Sequence, residues 1–162
     1  MVPVTKDLKA QSKRLAARLE AIPSEIVAEI KPALIASAND LANVAKALAP
    51  EDKGDLIASI EVTAPGGMTP AYAQGGGKSQ AQVNQAFVTV GNPDQCHGHL
   101  VEFGTDPHKS GGQFEGTDHP GTEAQPFLLP AIRLTQDRNK RRIGRAIGKA
   151  VRNAAKSGGG DA

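Results

Sequence analysis

The stretch APEDKGDLIASIEVT, residues 49–63, decides the fold class, because the hydrophobic period changes within it. Before Ala49-Pro50, apolar residues recur at helical spacing. After Gly54, Leu56, Ala58, Ile60 and Val62 alternate with Ile57, Ser59, Glu61 and Thr63. Helical spacing puts residues three and four apart on one face, whereas alternation puts every second residue on one side of a half-buried strand. The pattern predicts a strand over 55–63 that follows a helix, with Glu51-Asp52-Lys53-Gly54 as the turn.

Working upstream, Val27, Leu34, Leu41 and Leu48 repeat every seven residues, with Ile30 and Val44 at the offset positions. That seam predicts a helix to Leu48 that packs against another element. Pro32 lies inside the pattern and predicts a kink or a break, since proline removes an N–H and crowds the preceding turn. Residues 5–22 form an earlier amphipathic pattern, with Leu8, Leu15, Leu19 and Ile22 on one stripe. Pro23 ends that helix or begins the next, and Ser24 is placed to cap the second one.

Working downstream, residues 64–85 are Gly, Pro, Gln and Ser with almost nothing to bury, which reads as a long loop. AFVTVG at 86–91 is a second strand, and HLVEF at 99–103 is a third strand or a short helix. Residues 104–125 are again polar loop. Pro126–Leu134 opens a last helix that resumes through Arg141–Lys156, with Ile143, Ile147, Val151 and Ala154 as its apolar stripe. Helices, a small antiparallel sheet and a final helix together predict an α+β domain over 1–156. Its parts are helical 5–48, sheet and loops 54–125, and C-terminal helix 126–156, with 157–162 a flexible tail.

Composition narrows the function. Hydrophobic residues make up 39% of the 162 and aromatics 3%, with no Trp, one Tyr and four Phe, so the core is thin and partner chains are expected. The single cysteine, Cys96, excludes an intramolecular disulfide framework. The N-terminus lacks the apolar segment of a secretory signal, and no stretch approaches the roughly 20 apolar residues of a membrane span. The expectation is a soluble protein made in a cytoplasm. Charge is divided unevenly. Residues 133–162 carry nine Lys or Arg against two Asp, a net +7, while residues 1–132 carry ten basic and fifteen acidic residues, a net −5. Arg138, Lys140, Arg141, Arg142, Arg145, Lys149 and Arg152 therefore form a basic helix that fits non-specific contact with DNA or with acidic neighbours. No interleaved aromatics or DNA-reading motif support sequence-specific binding.

Catalytic and ligand motifs are weak. GGGKS at 75–79 lacks the first glycine of a phosphate loop, since that position is Tyr72, and it lacks the flanking strand and helix. Cys96, His97, His99, His108 and His119 cluster in sequence, but without the spacing of a zinc site. Glu102 beside His99 and His108 is the best acid–base candidate, with nothing local to perturb it. No cofactor or metal is expected, and no enzyme activity.

Three ordered signatures are more informative. The first is Ala49-Pro50, then Gly54, Leu56, Ser59 and Ile60. The second is Val88, Val90 and Gly91, then His99-Leu100-Val101-Glu102-Phe103-Gly104-Thr105. The third is Ala124-Gln125-Pro126-Phe127-Leu128-Leu129-Pro130-Ala131. Across about residues 30–134 they resemble the neck or tail-completion family of long-tailed bacteriophages and prophages, which includes minor tail proteins of lambda-like phages. Where that family carries an aromatic before Val-Glu-Phe-Gly-Thr, this chain reads Cys96-His97-Gly98-His99.

The resemblance implies a virion protein of the head–tail junction, a ring of six subunits. It implies neighbouring head-closure or adaptor proteins and a tail-tube protein, and a channel for genome ejection. The residues themselves add expectations. Phe103 and Phe127 should dominate the local core. Gly104 permits a sharp turn, Pro126 suits the first turn of a helix, and Pro130 fits there too or marks a kink. Glu102 either accepts hydrogen bonds from loop backbone, meets a basic residue, or ends exposed. Metal analysis of the purified protein tests the Cys/His reading, with no stoichiometric zinc expected; one zinc per chain would restore it.

Overall fold

In a computed structural model the chain is described over residues 4–51, 54–71, 77–93, 97–112 and 115–159, with side chains described between 24 and 156. The fold is α+β: α1 (Val4–Leu48), α2 (Asp55–Ala58), β1 (Ile60–Thr63), β2 (Phe87–Val90), α3 (Gly98–Phe103), β3 (His108–Lys109), β4 (Asp118–His119) and α4 (Leu128–Gly159). Strands β1 and β2 pair antiparallel, Ile60 opposite Val90 and Thr63 opposite Phe87. A separate hairpin pairs β3 with β4.

The two N-terminal helices expected from the sequence are one. Helix α1 runs unbroken for 45 residues, about 68 Å at 1.5 Å per residue, through both Pro23 and Pro32. Pro32 leaves the carbonyl of Ala28 without its usual donor, but both residues are exposed, so water can satisfy it. The Leu8/Leu15/Leu19/Ile22 stripe lies outside the described side chains. Helix α4 is likewise continuous and extends through residues 157–159, which the sequence assigned to a flexible tail; residues 160–162 are outside the described part. Pro126 precedes this helix rather than lying in its first turn.

The two long helices pack antiparallel. Asp40 meets Arg138, the Ser37 carbonyl accepts from Asn139, and Glu29 accepts from Asn153. Their buried side chains are small: Ala38, Ala42, Ala45 and Ala49 on α1, and Ala131, Thr135, Ala150 and Ala154 on α4. The large residues singled out from periodicity lie at the margin or outside. Leu34 and Leu41 are half-buried, Leu48 is 42% exposed, and Ile147 and Val151 are 42% and 49% exposed. Alanine faces let the axes approach closely, and the bulkier stripes are displaced to the sides.

The expected strand over 55–63 begins instead as a helical turn. Gly54 enters it at φ 83°, and the Ser59 hydroxyl and amide both return to the Leu56 carbonyl, closing the turn before β1 starts. Leu56 and Ile57, neighbours in sequence, therefore both pack on the core. That core gathers Ala42, Ala45, Ala49, Ile60, Phe127 and Ala131, so the sheet, α1 and the start of α4 share it.

The described residues of both expected loops form hydrogen-bonded structure. Residues 64–71 and 77–85 extend the β1–β2 hairpin as an arm. Gly66 donates to Gln82, Ala81 to Gly67 and Thr69 to Ser79, and the Ser79 amide donates to the Thr69 hydroxyl. Thr69 and Ala81 are buried within it. Residues 72–76 of the GGGKS region lie outside the described part, as does Cys96. Residues 104–125 hold the β3–β4 hairpin, whose polar residues gave no periodic signal.

The alanine seam yields a test. Ala45→Leu, at a fully buried position, should overpack the α1–α4 contact and cost about 1–3 kcal/mol, read as a lower urea midpoint. Ala47→Leu, on the exposed side of α1, should stay within about 0.5 kcal/mol of the parent.

Candidate functional site

Helix α3 is set directly on β2 by Gly98. A Cβ there would lie 2.5 Å from Cγ1 of Val90, so only glycine allows this approach. The seating fixes Val101 and Glu102 on the inner side. Glu102 is only 6% exposed. Its Oε2 accepts the amides of Phe127 and Leu128, each at 2.8 Å, and its Oε1 accepts the amide of Leu129 at 2.9 Å. The first helical bond of α4 then runs from the Ala131 amide to the Phe127 carbonyl. Position 130 is proline and has no amide hydrogen. A helix start leaves four N–H groups without helical partners; here a carboxylate takes three and proline removes the fourth.

Burial pushes the Glu102 carboxyl up, but the three backbone hydrogen bonds outweigh it and hold it below its ordinary value. The positive end of the α4 dipole acts in the same direction. The chain reversal behind this contact is tight. Gly104 sits at φ 71°, and a Cβ there would meet the Thr122 carbonyl at 2.6 Å and the Ala124 amide at 2.9 Å. Thr105 and Thr122 exchange both backbone hydrogen bonds, and the Gln125 amide returns to the Val101 carbonyl at 2.8 Å.

The remaining signature residues surround this junction. Ile60, Phe127 and Ala131 are buried, Leu56, Val90 and Leu128 are half-buried, and Ser59 closes the α2 turn. Gly91 is buried and donates to the Ser59 carbonyl. Phe103 departs from expectation: it is 68% exposed rather than buried. Next to Glu102 in a helix it faces about 100° away, and the inner side belongs to the carboxylate.

The acid–base grouping does not assemble. His99 and Glu102 line one groove of about 230 Å³ beside β2, whereas His108 stacks on His119 in the hairpin, ring centroids 4.9 Å apart. The His108 Nδ1 bonds the Asp106 carbonyl, and the His119 Nδ1 accepts from Gly121. Among the described residues no group of three or more His, Cys, Asp or Glu is placed to hold a metal ion.

Sequence reasoning missed the anchoring of α4. Arg138 binds Asp40 with both Nε (2.5 Å) and Nη2 (2.7 Å), while Arg142 reaches Ser37, Asn139 and Asp40. Nothing in the pattern marked Asp40 as their partner. The other five predicted cations, Lys140, Arg141, Arg145, Lys149 and Arg152, are exposed, and none forms an ion pair among the described residues. Also unforeseen, the Thr89 hydroxyl is buried in the groove beside β2 with no hydrogen-bond partner among the described residues.

Residues 13–104 match the HK97-gp10-like family, described as "Bacteriophage HK97-gp10, putative tail-component". Among curated proteins and among solved structures, none matches the chain. The matched span starts before the signatures above and stops at Gly104, so it contains Glu102 but not the helix start that Glu102 holds.

Glu102→Gln replaces one acceptor by a donor facing amides and should cost about 1–3 kcal/mol, measured by chemical denaturation. The pH dependence has a definite sign. Because the folded carboxyl titrates below the unfolded one, its contribution is fully present above the unfolded value, about 4.3, and is lost as pH falls through the lower folded value. The parent protein should lose this increment over that acid window, and Glu102→Gln should not.

Proposed function

Because the chain belongs to the HK97-gp10-like family of phage tail proteins, we propose that it is a structural, non-catalytic virion subunit of the head–tail junction. In this reading six copies form a ring that completes the tail and joins it to the DNA-filled head. The ring surrounds the channel through which the genome leaves. Its neighbours are head-closure or adaptor proteins on one side and the tail-tube protein on the other. The family match over residues 13–104 carries the proposal.

The geometry supports it in two ways. The carboxylate singled out as an acid–base candidate accepts three amides at a helix start, so both its oxygens are engaged in holding the fold. In addition, large apolar side chains stand exposed, including Phe103 at 68% and Leu134 at 64%, as expected of a chain that is covered by others. No described helix is long and apolar enough to cross a membrane.

A second reading, non-specific DNA binding through α4, rests on the exposed cations Lys140, Arg141, Arg145, Lys149 and Arg152, none in an ion pair among the described residues. It predicts duplex binding that weakens steeply with salt.

Deleting the gene from the phage or prophage that carries it should give filled heads and separate tails, and supplying the chain in trans should restore joined particles. Imaging of those particles should show the protein as a ring at the neck. Complete, infectious particles without the gene would overturn the proposal.

A further inference from the structure

Three exposed arginines of α4 align with an exposed leucine. Leu134, Arg141, Arg145 and Arg152, spaced by seven, four and seven residues, fall on one stripe of the helix. All four are exposed, Leu134 at 64%. Phosphate contact needs no apolar side chains. Arginines in line with an exposed leucine instead suit a protein surface that carries carboxylates, which guanidinium forks bind in pairs.

The chain supplies such a surface. Residues 104–125 carry Asp106, Glu115, Asp118 and Glu123 against Lys109 alone, and all four carboxylates are exposed. Within one molecule the two surfaces are held apart. The Thr105–Thr122 bridge and the Gln125–Val101 bond root the hairpin at the start of α4. Arg141 and Arg152 lie about 20 and 36 Å further along that helix at 1.5 Å per residue. Among the described residues no ion pair joins them.

From this complementarity of charge we infer that the Arg141/Arg145/Arg152 stripe of one copy docks the acidic β3–β4 hairpin of a second copy. The inference rests on the ring reading above and names its interface. The two surfaces differ, so the contact is heterologous: each copy offers its stripe to one neighbour and its hairpin to the other, the arrangement that closes into a ring. Contacts of this kind lie near solvent and are screened beyond about 8 Å at physiological salt, so association is salt-sensitive.

The test is a charge exchange followed by sedimentation of the full chain at low and high salt. Arg141→Glu with Arg145→Glu, and separately Asp118→Lys with Glu123→Lys, should each weaken self-association at least about tenfold, since like charges then face each other. Mixing the two variants restores complementarity at every interface and should recover association. Circular dichroism checks that each variant is folded. Folded variants that associate like the parent, a mixture that fails to recover, or a parent that stays monomeric even at low salt would each overturn the inference. So would loss of duplex DNA binding in the arginine variant with association unchanged, which would assign the stripe to DNA. A neck ring seen in particles carrying either single variant would leave the ring reading standing while removing this interface.

Discussion

The carboxylate of Glu102 at the beginning of α4 is the constraint on which the rest of the structure depends. It joins segments distant in sequence: α3, which carries it, the 104–125 connection, and the 32-residue helix whose first amides it accepts. A helix start buried without partners forfeits roughly 1–3 kcal/mol for each orphaned donor, so an uncompensated start here would be a poor foundation. Pro130 adds to the solution by presenting no donor. Phe127, the residue just before α4, is at once the first amide bound by Glu102 and the largest fully buried side chain. Cap and core are therefore coupled, and α4 cannot shift along its axis without disturbing both.

From that fixed point α4 runs back along α1. Small residues line the contact and polar pairs mark its edges. Exposed pairs such as Arg138–Asp40 typically contribute about 0–1 kcal/mol, so they set register more than they hold the helices together. Placing the small residues inward leaves the large ones, Leu134, Ile147 and Val151, exposed.

Much of this arrangement was legible in the sequence, and the exceptions have physical reasons. The α+β class followed from the change of period near Gly54, and the β1–β2 pair from the two alternating runs. Periodicity could not separate a helical turn from a strand start at 55–59, because a short apolar run satisfies both. It also favoured the bulky Ile147 and Val151 for the buried face of α4, whereas close helix approach selects Ala150 and Ala154. The β3–β4 hairpin was illegible: its paired residues, His108, Lys109, Asp118 and His119, carry no apolar alternation. Glu102 was visible only as a carboxylate in need of a partner. Its neighbour Phe103 was misplaced because hydrophobicity alone was weighed, although the helix turns it about 100° from Glu102, away from the inner side.

The alanine seam also limits how this molecule can vary. Alanine has no side-chain torsion to readjust, so neither helix holds slack with which to absorb a larger residue from the other. A methyl group gained at Ala42 or Ala45 has to be matched by one given up across the joint, or the helices must separate. Single-step change is thereby steered toward the outward sides of both rods, where a new side chain displaces only water.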